Sequence, residues 1–198
     1  IYEYIVFVLV FFLFTVTALL ITPFVRLYTR GIVDTEYNQP LFGFLLVLSE
    51  ALYLVKLPHL NLAYSANKFK EITVPAYIEA TLNIVISVAL VKKLGLIGVT
   101  IGTIVGMTYR MVFHVYYTSK IVPGRAQRIF YRKLFLFAVG AGAGFALCYK
   151  LLPLQNVTVG SWIVHAIFYC VVIGSILLAI SVLFFQNEMK FFAKYIKR

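Results

Sequence analysis

Six stretches of roughly 20 apolar residues, each nearly free of charge, occupy most of this chain. They fall at residues 4–25, 41–64, 72–91, 96–119, 133–152 and 161–185. At 1.5 Å of rise per residue, about 20 residues cover a hydrocarbon core of about 30 Å. A soluble helix of that length would keep one polar face, and these stretches are apolar almost all round. Backbone groups in lipid must also pair internally, which favours helices. Charged residues make up 13% of the chain and hydrophobic ones 62%, whereas soluble domains are about 25% charged. The expected fold is all-α: a polytopic integral membrane bundle of six transmembrane helices. No remaining stretch is both polar and long enough to form a soluble domain.

The net charge of +11 is distributed in a way that argues against a nucleic-acid partner. Lys120, Arg125, Arg128, Arg132 and Lys133 cluster between the fourth and fifth spans, and Lys190, Lys194, Lys197 and Arg198 follow the sixth. Lys68 and Lys70 lie between the second and third. The alternate connections are poorer: Arg26 and Arg30 are offset by Asp34 and Glu36, Lys92 and Lys93 mark one turn, and Lys150 stands alone. The positive-inside rule then places both ends of the chain in the cytoplasm. Tyr and Phe gather near the span ends as an interfacial belt, and the basic stretch 190–198 suits an anionic leaflet. The first span lacks the basic start and cleavage site of a secretory signal. Because the chain opens on Ile1 and enters a helix almost at once, it is expected to be a piece of a longer polypeptide. Cys148 and Cys170 fall inside spans and read as free apolar thiols. Asn156-Val157-Thr158 has glycosylation spacing, a weak motif.

Polar residues inside spans are costly and are kept when they pair or face water. Glu50, Lys56, Glu79 and Arg110 are the charged residues so placed. Glu79, Asn83 and Ser87 lie four apart on the third span; Gly98, Gly102, Gly106, Arg110 and His114 lie four apart on the fourth. Each set forms a stripe along one helix face. A turn at Lys92-Lys93-Leu94-Gly95 makes positions summing to 189 sit level. Glu79 then faces Arg110 and Asn83 faces Gly106, roughly 10 Å below the cytoplasmic surface at 1.5 Å per residue. The expected arrangement is a Glu79–Arg110 ion pair with Asn83 beside it, lining a central cavity, with Gly98, Gly102 and Gly106 packing the hairpin. The competing reading is a buried pair that only fixes helix packing. Glu50 is a separate candidate for ion or proton coupling, since burial raises a carboxylate's pKa.

His59, His114 and His165 have no ligand spacing, so no metal or other cofactor is expected. No glycine-lysine nucleotide loop or hydrolase motif appears, and the chain does not read as an enzyme. Pro23, Pro58, Pro75 and Pro123 are expected to mark span ends or helix starts. Pro58 leaves two possibilities: a kink within the second span, or an end near Leu57 followed by a turn. In the fifth span, Gly140, Gly142 and Gly144 lie among alanines and suit close helix packing.

Residues 61–73 (NLAYSANKFKEIT) are followed by Ile78-Glu79-Ala80-Thr81-Leu82-Asn83-Ile84, by Gly95-Leu96-Ile97-Gly98-Val99-Thr100-Ile101-Gly102-Thr103 and by Tyr109-Arg110. With Tyr28-Thr29-Arg30-Gly31-Ile32-Val33-Asp34-Thr35-Glu36-Tyr37 and Glu50-Ala51-Leu52-Tyr53, this run resembles the C-terminal half of bacterial polysaccharide repeat-unit flippases. These belong to the multidrug/oligosaccharidyl-lipid/polysaccharide exporter superfamily. The resemblance covers nearly the whole chain and is clearest over 23–133. It implies part of a two-lobe transporter, with residues 1–120 supplying four helices of the second lobe. Residues 121–198 would supply a basic cytoplasmic loop, two additional helices and a basic tail. It further implies an N-terminal lobe outside this chain, and a bacterial inner-membrane protein that flips an undecaprenyl-diphosphate-linked oligosaccharide by alternating access. Arg110 is then the expected diphosphate contact. A multidrug exporter of the same superfamily, favouring an acidic cavity, and a non-transporting membrane scaffold are the alternatives.

Overall fold

A computed structural model describes residues 1–32, 34–122, 124–154 and 157–196. The Asn156 sequon, Pro123 and the last two basic residues therefore lie outside the described residues. Among the described residues, seven helices follow in chain order: α1 (Tyr2–Tyr28), α2 (Pro40–Ser65), α3 (Phe69–Leu94), α4 (Leu96–Ile121), α5 (Gln127–Leu151), α6 (Val159–Phe184) and α7 (Gln186–Ile196). The first six are long and apolar enough to cross a membrane. The fold is an all-helical membrane bundle, and each of the six apolar stretches became one helix.

Two of the prolines depart from expectation. Pro23 and Pro75 lie inside α1 and α3, because each of these helices runs past its apolar core into the interfacial residues. Continuing through a proline forfeits one i→i−4 hydrogen bond. At Pro58 the question left open by the sequence is answered: α2 continues to Ser65. That continuation keeps Lys56 and His59 in the interior of a helix and buried.

The chain forms two compact units, with the division falling inside α5. One comprises Ile1–Pro40 with Lys133–Arg198. Its core is aromatic: Phe137 stacks on Phe185 at 5.4 Å between centroids and on Phe11 at 5.9 Å, and Phe7 sits 6.0 Å away. Phe7, Phe137 and Phe185 have no solvent exposure. Trp162 Nε1 donates to the Leu20 carbonyl at 3.3 Å, and Tyr169 Oη donates to that of Leu152 at 2.7 Å. Helix α6 begins on a capping box made by Thr158 and Ser161, which satisfies backbone donors otherwise orphaned at a helix start.

The other unit is Leu41–Arg132, built around the antiparallel pair α3 and α4. A single residue, Gly95, joins them with φ +56° and ψ −133°, a conformation open to glycine and strained for other residues. Its N–H closes α3 by donating to the Val91 carbonyl at 2.9 Å. Three glycines of α4 then allow backbone-to-backbone approach. A Cβ at Gly98 would stand 2.7 Å from the Leu90 carbonyl carbon, one at Gly102 would stand 2.8 Å from the Asn83 oxygen, and one at Gly106 would stand 3.0 Å from the Glu79 oxygen. The hairpin is thus zipped at the register the glycine stripe predicts. Asn83 Oδ1 fastens it further by accepting across the hairpin from Thr103 Oγ1 at 3.4 Å, and within α3 it accepts from Ser87 Oγ at 3.0 Å.

Candidate functional site

Three adjacent helices of the second unit bring their charged side chains to one carboxylate. Glu79 on α3 is 9% exposed and Lys56 on α2 is 1% exposed. Lys56 Nζ lies 3.1 Å from Glu79 Oε1. Arg110 on α4 donates from Nη1 to Glu79 Oε2. Two cations therefore share one anion, and the cluster retains one positive charge. An ion held in a low-dielectric interior needs such a partner, because removing either charge from water costs several kcal/mol.

The surroundings are arranged around the cations. Lys56 Nζ also contacts Met107 Sδ at 3.3 Å and sits 4.6 Å above the centre of the Tyr53 ring, a cation–π placement. Arg110 Nε donates to His114 Nε2 at 3.3 Å. Since Arg only donates, His114 uses its Nε2 lone pair in that contact. The stripe continues one turn further, where Thr118 Oγ1 meets His59 Nδ1 at 2.6 Å and donates to the His114 carbonyl at 2.8 Å. His59 itself packs edge-on against Phe130 at 4.9 Å. Arg110, His114 and Thr118 are thus successive positions of one α4 face, reached by Lys56 and His59 from α2 and by Glu79 from α3. Replacing Thr118 with valine, which keeps the shape and removes the hydroxyl, takes this partner from His59 Nδ1. We expect a loss of about 1–3 kcal/mol, read from thermal unfolding in detergent.

The structure brings Glu79 and Arg110 together. Asn83 lies on the same α3 face but turns its oxygen into the hairpin rather than onto the ion cluster. Gly98, Gly102 and Gly106 are all buried contacts between α3 and α4. Glu50 is exposed and joins none of the ion pairs among the described residues. No group of three His, Cys, Asp or Glu side chains among the described residues is placed to hold a metal ion.

Two features escaped the sequence reading. Lys56 was visible as a cation within a span, but its role as the second partner of Glu79 was not. A second buried cluster lies in the other unit, where Lys133 Nζ is 3.2 Å from Glu3 Oε1 and 3.7 Å from Glu188 Oε1. Glu3 and Lys133 are both buried. Lys133 read as one more cation of a basic loop, and the available signal was its position at the very start of an apolar span.

No family model matches this chain, and neither the curated proteins nor the solved structures include a match.

Proposed function

We propose that this chain is part of a transporter that flips a lipid-linked oligosaccharide repeat unit across the bacterial cytoplasmic membrane by alternating access, for surface polysaccharide synthesis. The observation that carries this reading is the Lys56–Glu79–Arg110 cluster, two cations on one carboxylate among three membrane helices. Arg110 spends one donor on Glu79 and one on His114, and a guanidinium has five in a planar fork. Its remaining donors suit the oxygens of a diphosphate, which bidentate Arg recognises well. The resemblance of residues 23–133 to polysaccharide-unit flippases points the same way, and in that reading both ends of the chain are cytoplasmic. A site with net positive charge is poorly matched to the cationic substrates of a multidrug exporter.

The test is the leaflet distribution of lipid-linked oligosaccharide in cells lacking the full-length gene. The expected result is accumulation on the cytoplasmic side with loss of surface polysaccharide. Complementation with the native gene should restore both, whereas Arg110→Ala, inserted at the native level, should not. Normal surface polysaccharide in the deletion strain would overturn the assignment. Full complementation by Arg110→Ala would leave the ion cluster a packing device.

A further inference from the structure

Helix α7 follows α6 with only Phe185 between them, and at 11 residues it is too short to span a bilayer, which takes about 20. Its entry is fixed to its own unit. Phe185 is fully buried against Phe137 and Tyr4, and Glu188 reaches back to Lys133. Beyond that anchor the helix is amphipathic. Met189 and Phe192 are three apart on one side, while Lys190 and Lys194 are four apart on another. Phe191 is 54% exposed and Phe192 38%, and both lysines are exposed.

The charge arrangement selects the partner. Glu188 is the one acid of α7, and its carboxylate is turned onto Lys133, which Glu3 also faces. The charges that α7 offers outward are therefore cationic, next to exposed aromatic rings and immediately beyond the end of a membrane span. Helices with this combination lie in the plane of the membrane interface, with rings in the acyl boundary and cations among headgroups. We propose that α7 is an interfacial helix that binds anionic lipid headgroups through Lys190 and Lys194, with the Glu3–Lys133–Glu188 cluster holding it at that depth. This rests on the geometry of α7 alone and is independent of what the protein transports.

The test uses the full chain in vesicles of equal parts phosphatidylglycerol and phosphatidylcholine, with bromine on the acyl chains of one lipid or the other. Trp162 is the single tryptophan of the chain, so Trp162→Phe with Phe192→Trp places one fluorophore on α7. Bromine on phosphatidylglycerol should quench it several-fold more effectively than bromine on phosphatidylcholine. Each lysine near an anionic surface contributes roughly a fivefold preference, so Lys190→Gln with Lys194→Gln should make the two lipids equal. Lys190→Glu with Lys194→Glu should reverse their order. These exposed side chains carry no packing, so the variants should fold like the parent. Equal quenching by both lipids in the parent would overturn headgroup recognition. Quenching by aqueous iodide instead of bromine would overturn interfacial burial, and protection from both would show that polypeptide covers this face.

Discussion

Replacing Glu79 with glutamine should destabilise the protein by about 3–5 kcal/mol, the usual result of stranding a buried charge. Here the effect has two sources, because Lys56 and Arg110 both lose their counter-ion. The amide cannot neutralise either, and the two cations then repel each other across the vacated site. Coupling the change to Lys56→Met provides the diagnostic. The double variant returns the cluster to one net positive charge, as in the native protein, and methionine keeps the length of the buried stem. It should unfold closer to the native protein than Glu79→Gln alone does, a non-additivity expected of residues in one network. Thermal unfolding in detergent measures all three. A loss below about 1 kcal/mol for Glu79→Gln would mean that water already solvates the cluster.

Gly102→Ala should destabilise the protein and Gly142→Ala should not. At Gly102 the new methyl would meet the Asn83 carbonyl oxygen at 2.8 Å and the Ser87 backbone nitrogen at 3.0 Å. These are backbone atoms of α3 that no rotamer change can move aside, so the helices must separate. Overpacking of this kind costs about 1–3 kcal/mol. Separation also pulls Glu79 from Arg110 two turns away, which adds to the loss of stability. At Gly142 a Cβ meets nothing within 4 Å, and alanine is the better helix former by up to about 1 kcal/mol. That variant should be neutral or slightly more stable. Comparing melting temperatures for the pair separates the packing role of the α4 stripe from a general effect of losing glycine. Equal behaviour of the two would count against close α3–α4 packing.

What was legible in the sequence follows from which forces are local. The six spans could be read because lipid demands long apolar runs, and no tertiary knowledge is needed to see them. The α3–α4 register could be read for a related reason. A short turn ending in Gly95 leaves little freedom in how the helices align, and the glycines at 98, 102 and 106 mark the contact face. Lys56 lies beyond the 66–68 connection on a third helix, whose rotation no local pattern fixes, so its bond to Glu79 was invisible. The Lys133–Glu3 contact joins residues 130 positions apart, and a neighbourhood rich in cations concealed it. Pro23 and Pro75 misled because α1 and α3 outlast their apolar cores. Helix α7 was seen only as a basic tail, since its amphipathic period is short.

The single-residue link at Gly95 also constrains how the protein enters its membrane. With so short a connection, α3 and α4 are suited to pass into lipid as one hairpin. Entering that way, Glu79 and Arg110 would already be joined. Each alone would meet an insertion cost of about 2.5–3.5 kcal/mol or more at the helix centre, and as a hairpin neither is presented to lipid alone. On that route the tight turn would make two unfavourable residues arrive as one acceptable one.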